Sequence, residues 1–172
     1  MGQGMSPTFF ELTTALAWLW FCECKVDIAV LEAGLGGRLD STNICNPEVS
    51  VITTISREHT HILGTRLSEI AAEKAGIIKE GIPVVTGVTS TEALTVISEV
   101  AAERQAPLTT VAAPLASAQT SSEWQGELIP QSRHQQHNKD VAFATVERLK
   151  ERGWKIAQAA GVRASAETVS PV

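Results

Sequence analysis

Three polar side chains stand out by type and place: Glu32, His59 and Lys74. Glu32 directly follows the apolar run Val26-Asp27-Ile28-Ala29-Val30-Leu31, and His59 lies four residues past Ile55, which closes a second apolar run. In an open parallel sheet, ligands bind beyond the carboxyl ends of the strands, so a fold of that kind could bring the two together. A carboxylate oxygen and an imidazole nitrogen are reasonable ligands for a divalent cation, although imidazole is softer than magnesium usually takes. The alternatives are a glutamate that caps the next turn and a surface histidine.

Lys74 occupies the apolar stripe between Ile70 and Ile77-Ile78, so it either snorkels at a helix edge or serves chemistry. A desolvated amine loses its proton more readily and can then attack carbon dioxide, which turns a cation into a carboxylate-like group able to bind metal. Gly34-Leu35-Gly36-Gly37-Arg38 supplies permissive backbone and a cation, a plausible anion-binding turn. It is not a Rossmann G-x-G-x-x-G, and the sequence contains no G-x-x-x-x-G-K-[ST]. His134 and His137 recur at i and i+3, either metal spacing on a helix or a polar approach to one. His59-Thr60-His61 resembles a hydrolase metal pair, but no further ligand-rich motif accompanies it.

The elements that must position these groups alternate. Ser6-Pro7 reads as a helix cap with proline at the first position, followed by a packing stripe of Phe9, Leu12, Leu16 and Leu19. Val26–Leu31 reads as a buried strand, Val49–Ile55 as a second, Ile82–Thr86 as a third and Pro107–Val111 as a fourth. Between the second and third, Leu67, Ile70, Ala71, Lys74, Ile77 and Ile78 keep helical spacing, with Thr65 as cap and Gly81 as stop. Ser90 caps a helix carrying Leu94, Ile97 and Ala101. Residues 112–137 lose periodicity and read as an irregular connection, before a last amphipathic helix from Asn138 to about Arg152. Alternating strands and helices imply an α/β fold, a mostly parallel sheet flanked by helices.

The chain has 172 residues, 44% hydrophobic and 19% charged, enough for one domain with a sizeable core. Lys plus Arg at 14 against Asp plus Glu at 19 leaves a charge of −5, with no basic run, which argues against nucleic-acid or anionic-membrane partners. The longest apolar stretch, Ala15 to Cys22, falls short of the ~18–20 residues of a membrane span. The amino terminus carries no basic segment or cleavage site, so the expected location is the cytoplasm. Cys22, Cys24 and Cys45 are odd in number and lack zinc spacing, which suggests reduced thiols in a core.

Taken together these segments resemble the Mur ligase superfamily, in its folylpolyglutamate synthase and dihydrofolate synthase branch. The resemblance rests on Phe10-Glu11-Leu12-Thr13-Thr14, on Val26 through Asn43 including Glu32-Ala33-Gly34-Leu35-Gly36-Gly37-Arg38-Leu39-Asp40-Ser41-Thr42-Asn43, and on Val49-Ser50-Val51-Ile52-Thr53. It continues through His59-Thr60, Leu63-Gly64, Ile70-Ala71-Ala72-Glu73-Lys74-Ala75-Gly76-Ile77-Ile78-Lys79 and Pro83-Val84-Val85, and returns at His134-Gln135 and Asn138. It implies an ATP-dependent amide ligase that joins L-glutamate to a folate or dihydropteroate carboxylate through an acyl phosphate. In such an enzyme Glu32 and His59 hold magnesium at the nucleotide phosphates. Lys74 is carbamylated and, with His59, belongs to the catalytic set, while Asn138 lies at the adenine. Glu11, Arg38, Asp40 and Thr42 match positions near the cleft.

The resemblance also implies a monomeric parent enzyme, and a P-loop NTPase-like domain whose P-loop strand and loop are not in this sequence. On this expectation residues 1–155 are a partial central domain, and 156–172 lead toward a C-terminal domain. The sequence departs from the family at Glu58, where aspartate is usual, at Ser56-Arg57, and at Ser132, where glycine is usual. Without a phosphate cradle the chain alone is expected to lack ligase activity. Two other classes stand beside this one: a folded remnant that only binds nucleotide or a partner, and a metal hydrolase built on Glu32, His59 and His61.

Overall fold

The computed structural model describes residues 6–112 and 133–157. Helix α1 (Phe9–Cys24) is followed by a short 3-10 turn at Ser41–Ile44, strand β1 (Ser50–Ile52), helices α2 (Thr60–Leu63) and α3 (Leu67–Ala75), and strand β2 (Val84–Thr86). Helix α4 (Thr91–Glu103), strand β3 (Leu108–Thr110) and helix α5 (Arg133–Glu151) complete it. The three strands form a parallel sheet in the order β1-β2-β3, pairing Ser50 with Val84 and Val84 with Leu108. The chain is therefore an α/β domain of parallel strands and flanking helices. No helix among the described residues is long and apolar enough to cross a membrane.

The core lies between the sheet and the α3–α4 pair, where Ile52, Ile78, Val84 and Ile97 meet Ala71, Ala75, Ala93 and Ala101. The alanines let the two helices approach closely, and Ile97, with no exposed surface, contributes about 2–3 kcal/mol by its burial. β2 is buried along its whole length, the pattern of a central parallel strand. Helix α5 covers β2 through Val141.

Several boundaries differ from the sequence-based expectation. Helix α1 is capped by Thr8, not Ser6-Pro7: the Thr8 hydroxyl accepts from Glu11 N while the Glu11 carboxylate accepts from Thr8 N at 2.6 Å, a capping box that outcompetes proline at the first position. Its apolar stripe is not packed: α1 has no buried residue, and Phe9, Leu16 and Leu19 are exposed. Val26–Leu31 forms no strand: the chain bends at Asp27, and Val30 is 92% exposed. Apolar alternation makes a strand only where a neighbour offers a ladder, and none of the described strands pairs with it. Cys22 and Cys24 consequently sit on the surface, and Cys45 is half-buried.

Helix α3 starts after Arg66, not Thr65, because Glu69 reaches back to accept from both Thr65 N and Arg66 N. It ends at Gly76, and Gly81 instead turns the chain with φ +67 ahead of β2. Helix α5 includes Arg133 to His137, so 133–137 of the expected irregular connection are helical. Residues 113–132 of that connection, including Ser132, and 158–172 of the expected tail lie outside the described residues.

Candidate functional site

The glycine loop after Leu31 owes its shape to Asp40. Its Oδ2 accepts from Gly34 N at 2.8 Å and Leu35 N at 3.0 Å, while Oδ1 accepts from Thr42 N at 2.9 Å and the Thr42 hydroxyl at 2.6 Å. Burial works to raise the Asp40 pKa, but these hydrogen bonds, led by the Thr42 hydroxyl, together hold it below the ordinary aspartate value. Thr14 on α1 meets Ser41 hydroxyl to hydroxyl at 3.1 Å, which ties the loop's far side to that helix.

The same loop is docked on the last turn of α3. Arg38 N donates to Glu73 O at 2.8 Å, and Asn43 Nδ2 donates to Arg38 O at 3.0 Å and Gly76 O at 3.1 Å. Lys79 Nζ closes the set on Asn43 O at 2.9 Å. Gly37 has no space for a side chain, since a Cβ there would lie 2.9 Å from Glu73 O and 3.0 Å from Lys74 O. Gly36, at φ +67, is wedged between two helices: its Cβ would meet Leu63 Cδ2 of α2 at 3.0 Å and Glu73 Cβ of α3 at 3.8 Å. The loop that follows Glu32, the helix that His59 opens and the helix that carries Lys74 therefore meet at one glycine.

Each candidate can be placed on this frame. Glu32 is exposed, two residues before the loop pinned by Asp40. His59 is exposed beyond the carboxyl end of β1 and occupies the N-cap of α2 with φ 52 and ψ 34. Left-handed backbone is uncommon for a residue with a Cβ, and strain of this kind concentrates at functional positions. Lys74 is half-buried in the last turn of α3, between Glu73, whose carbonyl takes the Arg38 amide, and Ala75 in the core. Asn138 is exposed in the second turn of α5.

His61 faces His59 with ring centroids 6.5 Å apart. Among the described residues, however, no three His, Cys, Asp or Glu side chains gather closely enough to hold a metal, so the hydrolase arrangement lacks a third donor there. His134 and His137 do not form a metal pair: His134 is exposed, while His137 is buried with Nε2 at 2.6 Å from Gly87 O. Sequence reasoning left the part played by Asp40 loose and missed that of His137. The Asp40-Ser41-Thr42 spacing, which suits a carboxylate that binds the amide two residues on, was the available signal for the first.

A family model described as the Mur ligase middle domain matches residues 7–138. The dihydrofolate synthase/folylpolyglutamate synthase of Bacillus subtilis is 57% identical over 102 residues, covering 59% of this chain and 24% of that protein. Among solved structures, the apo form of L. casei FPGS superposes with TM-score 0.85 at 30% identity, covering 98% of this chain and 45% of that one. E. coli FolC in complex with DHPP and ADP superposes with TM-score 0.81 at 29% identity over 98% of this chain and 41% of that one. The chain thus spans less than half the length of each of these proteins.

Proposed function

The chain belongs to the Mur ligase family through its middle domain, and from that premise we propose that it forms the nucleotide-side half of an ATP-dependent ligase that adds L-glutamate to a folate or dihydropteroate carboxylate. The observation that carries the reading is the convergence at Gly36 of the three elements bearing Glu32, His59 and Lys74. The likeness to FolC, whose solved complex holds DHPP and ADP, supports the substrate class.

Glu32 and His59 would hold magnesium, joined by Lys74 once carbamylated, and the ion would neutralise charge at the γ-phosphate. The exposure of Glu32 and His59, which would let a nucleotide reach them, supports this assignment, and three protein groups would still leave room for phosphate oxygens in an octahedral magnesium shell. Carbamylation joins the neutral Lys74 amine to carbon dioxide, releases one proton and leaves an anionic oxygen pair. In the overall reaction a substrate carboxylate oxygen attacks the γ-phosphorus and ADP departs. The glutamate amine then attacks the acyl carbon and phosphate leaves. Asn138, with both donor and acceptor on its carboxamide, suits an adenine edge. We take the substrates as small molecules, without nucleic acid or membrane, in keeping with the charge of −5, the setting as cytoplasmic and the full-length parent as a monomer.

Calorimetric titration of the chain with ATP, with and without magnesium and again in Glu32→Ala, tests the reading. Binding that requires both magnesium and Glu32 supports it; a folded chain that binds no ATP overturns it. The exposed Phe9, Leu16, Leu19 and Val30 favour a second reading, a module that binds a protein partner through this apolar surface. Monomeric sedimentation independent of concentration would count against that one.

A further inference from the structure

The sharpest contact between the end of the sheet and helix α5 is made by a side chain with no part in the ligand set above. His137 is 7% exposed, and its Nε2 lies 2.6 Å from the carbonyl oxygen of Gly87, the residue that follows β2. A carbonyl only accepts, so Nε2 carries the proton of this bond. Nδ1 is buried and has no partner among the described residues, so this one bond anchors the ring. Gly87 is fitted to it: a Cβ there would come within 2.7 Å of His137 Nε2, Thr53 O and Val141 Cγ2 at once. Gly87 N also donates to Ile52 O at 3.0 Å, so the ring is tied to the carboxyl ends of β1 and β2 together.

We infer that His137 is a positioning residue, a latch that fixes the first turns of α5 on the sheet and thereby presets its neighbour Asn138 for the adenine of the nucleotide. The inference rests on the nucleotide reading, and it concerns the base rather than the phosphates. Asn138 itself is exposed and belongs to the helix that His137 holds. Loss of the latch frees that turn while the loop pinned by Asp40 and docked on α3 stays in place.

The test compares the full chain with His137→Ala and His137→Gln, the second retaining a donor. Amide hydrogen exchange at Asn138 to Val141 should run about tenfold faster in His137→Ala and recover in His137→Gln, with β2 amides unchanged. Magnesium-dependent ATP binding should weaken several-fold in His137→Ala, whereas inorganic tripolyphosphate, which has no base, should bind as before. Unchanged exchange in His137→Ala overturns the latch, and equal weakening of ATP and tripolyphosphate overturns the positioning of Asn138. Faster exchange in a chain whose native form binds no ATP supports the latch and refutes the nucleotide reading instead.

Discussion

Arg38 and Glu73, 35 positions apart in sequence, are joined from Nη2 to Oε1 at 2.9 Å and from Nε at 3.1 Å. Behind the ion pair the two backbones also touch, with Arg38 N on Glu73 O and Gly76 packed against Arg38 Cα. The side chains are 54% and 29% exposed, so solvent screens the ion pair and the backbone contact carries the docking. Arg38→Ala should therefore cost less than about 1 kcal/mol. Gly76→Ala, which drives a Cβ into the Arg38 backbone, should cost about 1–3 kcal/mol. Urea unfolding ranks them, and the reverse order would mean that the ion pair holds the loop.

Asp40 makes this loop pH-sensitive. Its folded pKa lies below the unfolded one, because hydrogen bonds from Thr42, Leu35 and Gly34 outweigh burial, so the unfolded chain takes up the proton first as pH falls. The stabilisation is complete above the ordinary aspartate pKa of about 3.9 and is lost as pH falls through the lower folded value. Asp40→Asn should be less stable than the native chain by a constant margin near neutral pH, and the margin should shrink below about pH 4. A margin that persists in acid would assign the loss to shape rather than charge.

Much of the α/β frame was legible because its signals are local. Ser90 occupies the N-cap of α4 as expected, although its hydroxyl makes no cap hydrogen bond, and Val84-Val85-Thr86 is a buried strand because an apolar run between turns has few other homes. What failed depended on neighbours distant in sequence. Val26-Asp27-Ile28-Ala29-Val30 has strand composition, yet a strand needs a ladder partner and the described sheet provides none. The α1 stripe likewise has helical spacing, but none of the described residues buries it. At the site, Glu32, His59 and Lys74 could be singled out by residue type, but the wedge at Gly36 and the His137 bond to Gly87 are long-range contacts that spacing does not encode.

Lys74 offers a chemical test of the proposed magnesium ligands. ATP affinity in magnesium should rise when bicarbonate is added to the native chain and should not respond in Lys74→Arg, which keeps the charge but forms no lysine carbamate. Isotope-labelled bicarbonate should give a carbamate carbon resonance that is absent from Lys74→Arg. A bicarbonate response that survives the substitution would remove Lys74 from the site and leave it a snorkelling residue.

Thr86 shows how the sheet end beneath the site is held. It is fully buried, and its hydroxyl donates to Ile52 O at 3.0 Å and accepts from Val88 N at 3.2 Å. Thr86→Val keeps the shape and removes the hydroxyl. Ile52 O retains Gly87 N as a donor, but Val88 N is left buried without its acceptor. The expected cost is about 1–3 kcal/mol, the desolvation of one amide. Thr86→Ser keeps both bonds and loses one methyl, about 1 kcal/mol, so it should be the milder change in urea unfolding. If Thr86→Val instead matches the native chain, the hydroxyl only fills space, and the turn into Gly87 is held by the Gly87 amide on Ile52 and by His137 from above.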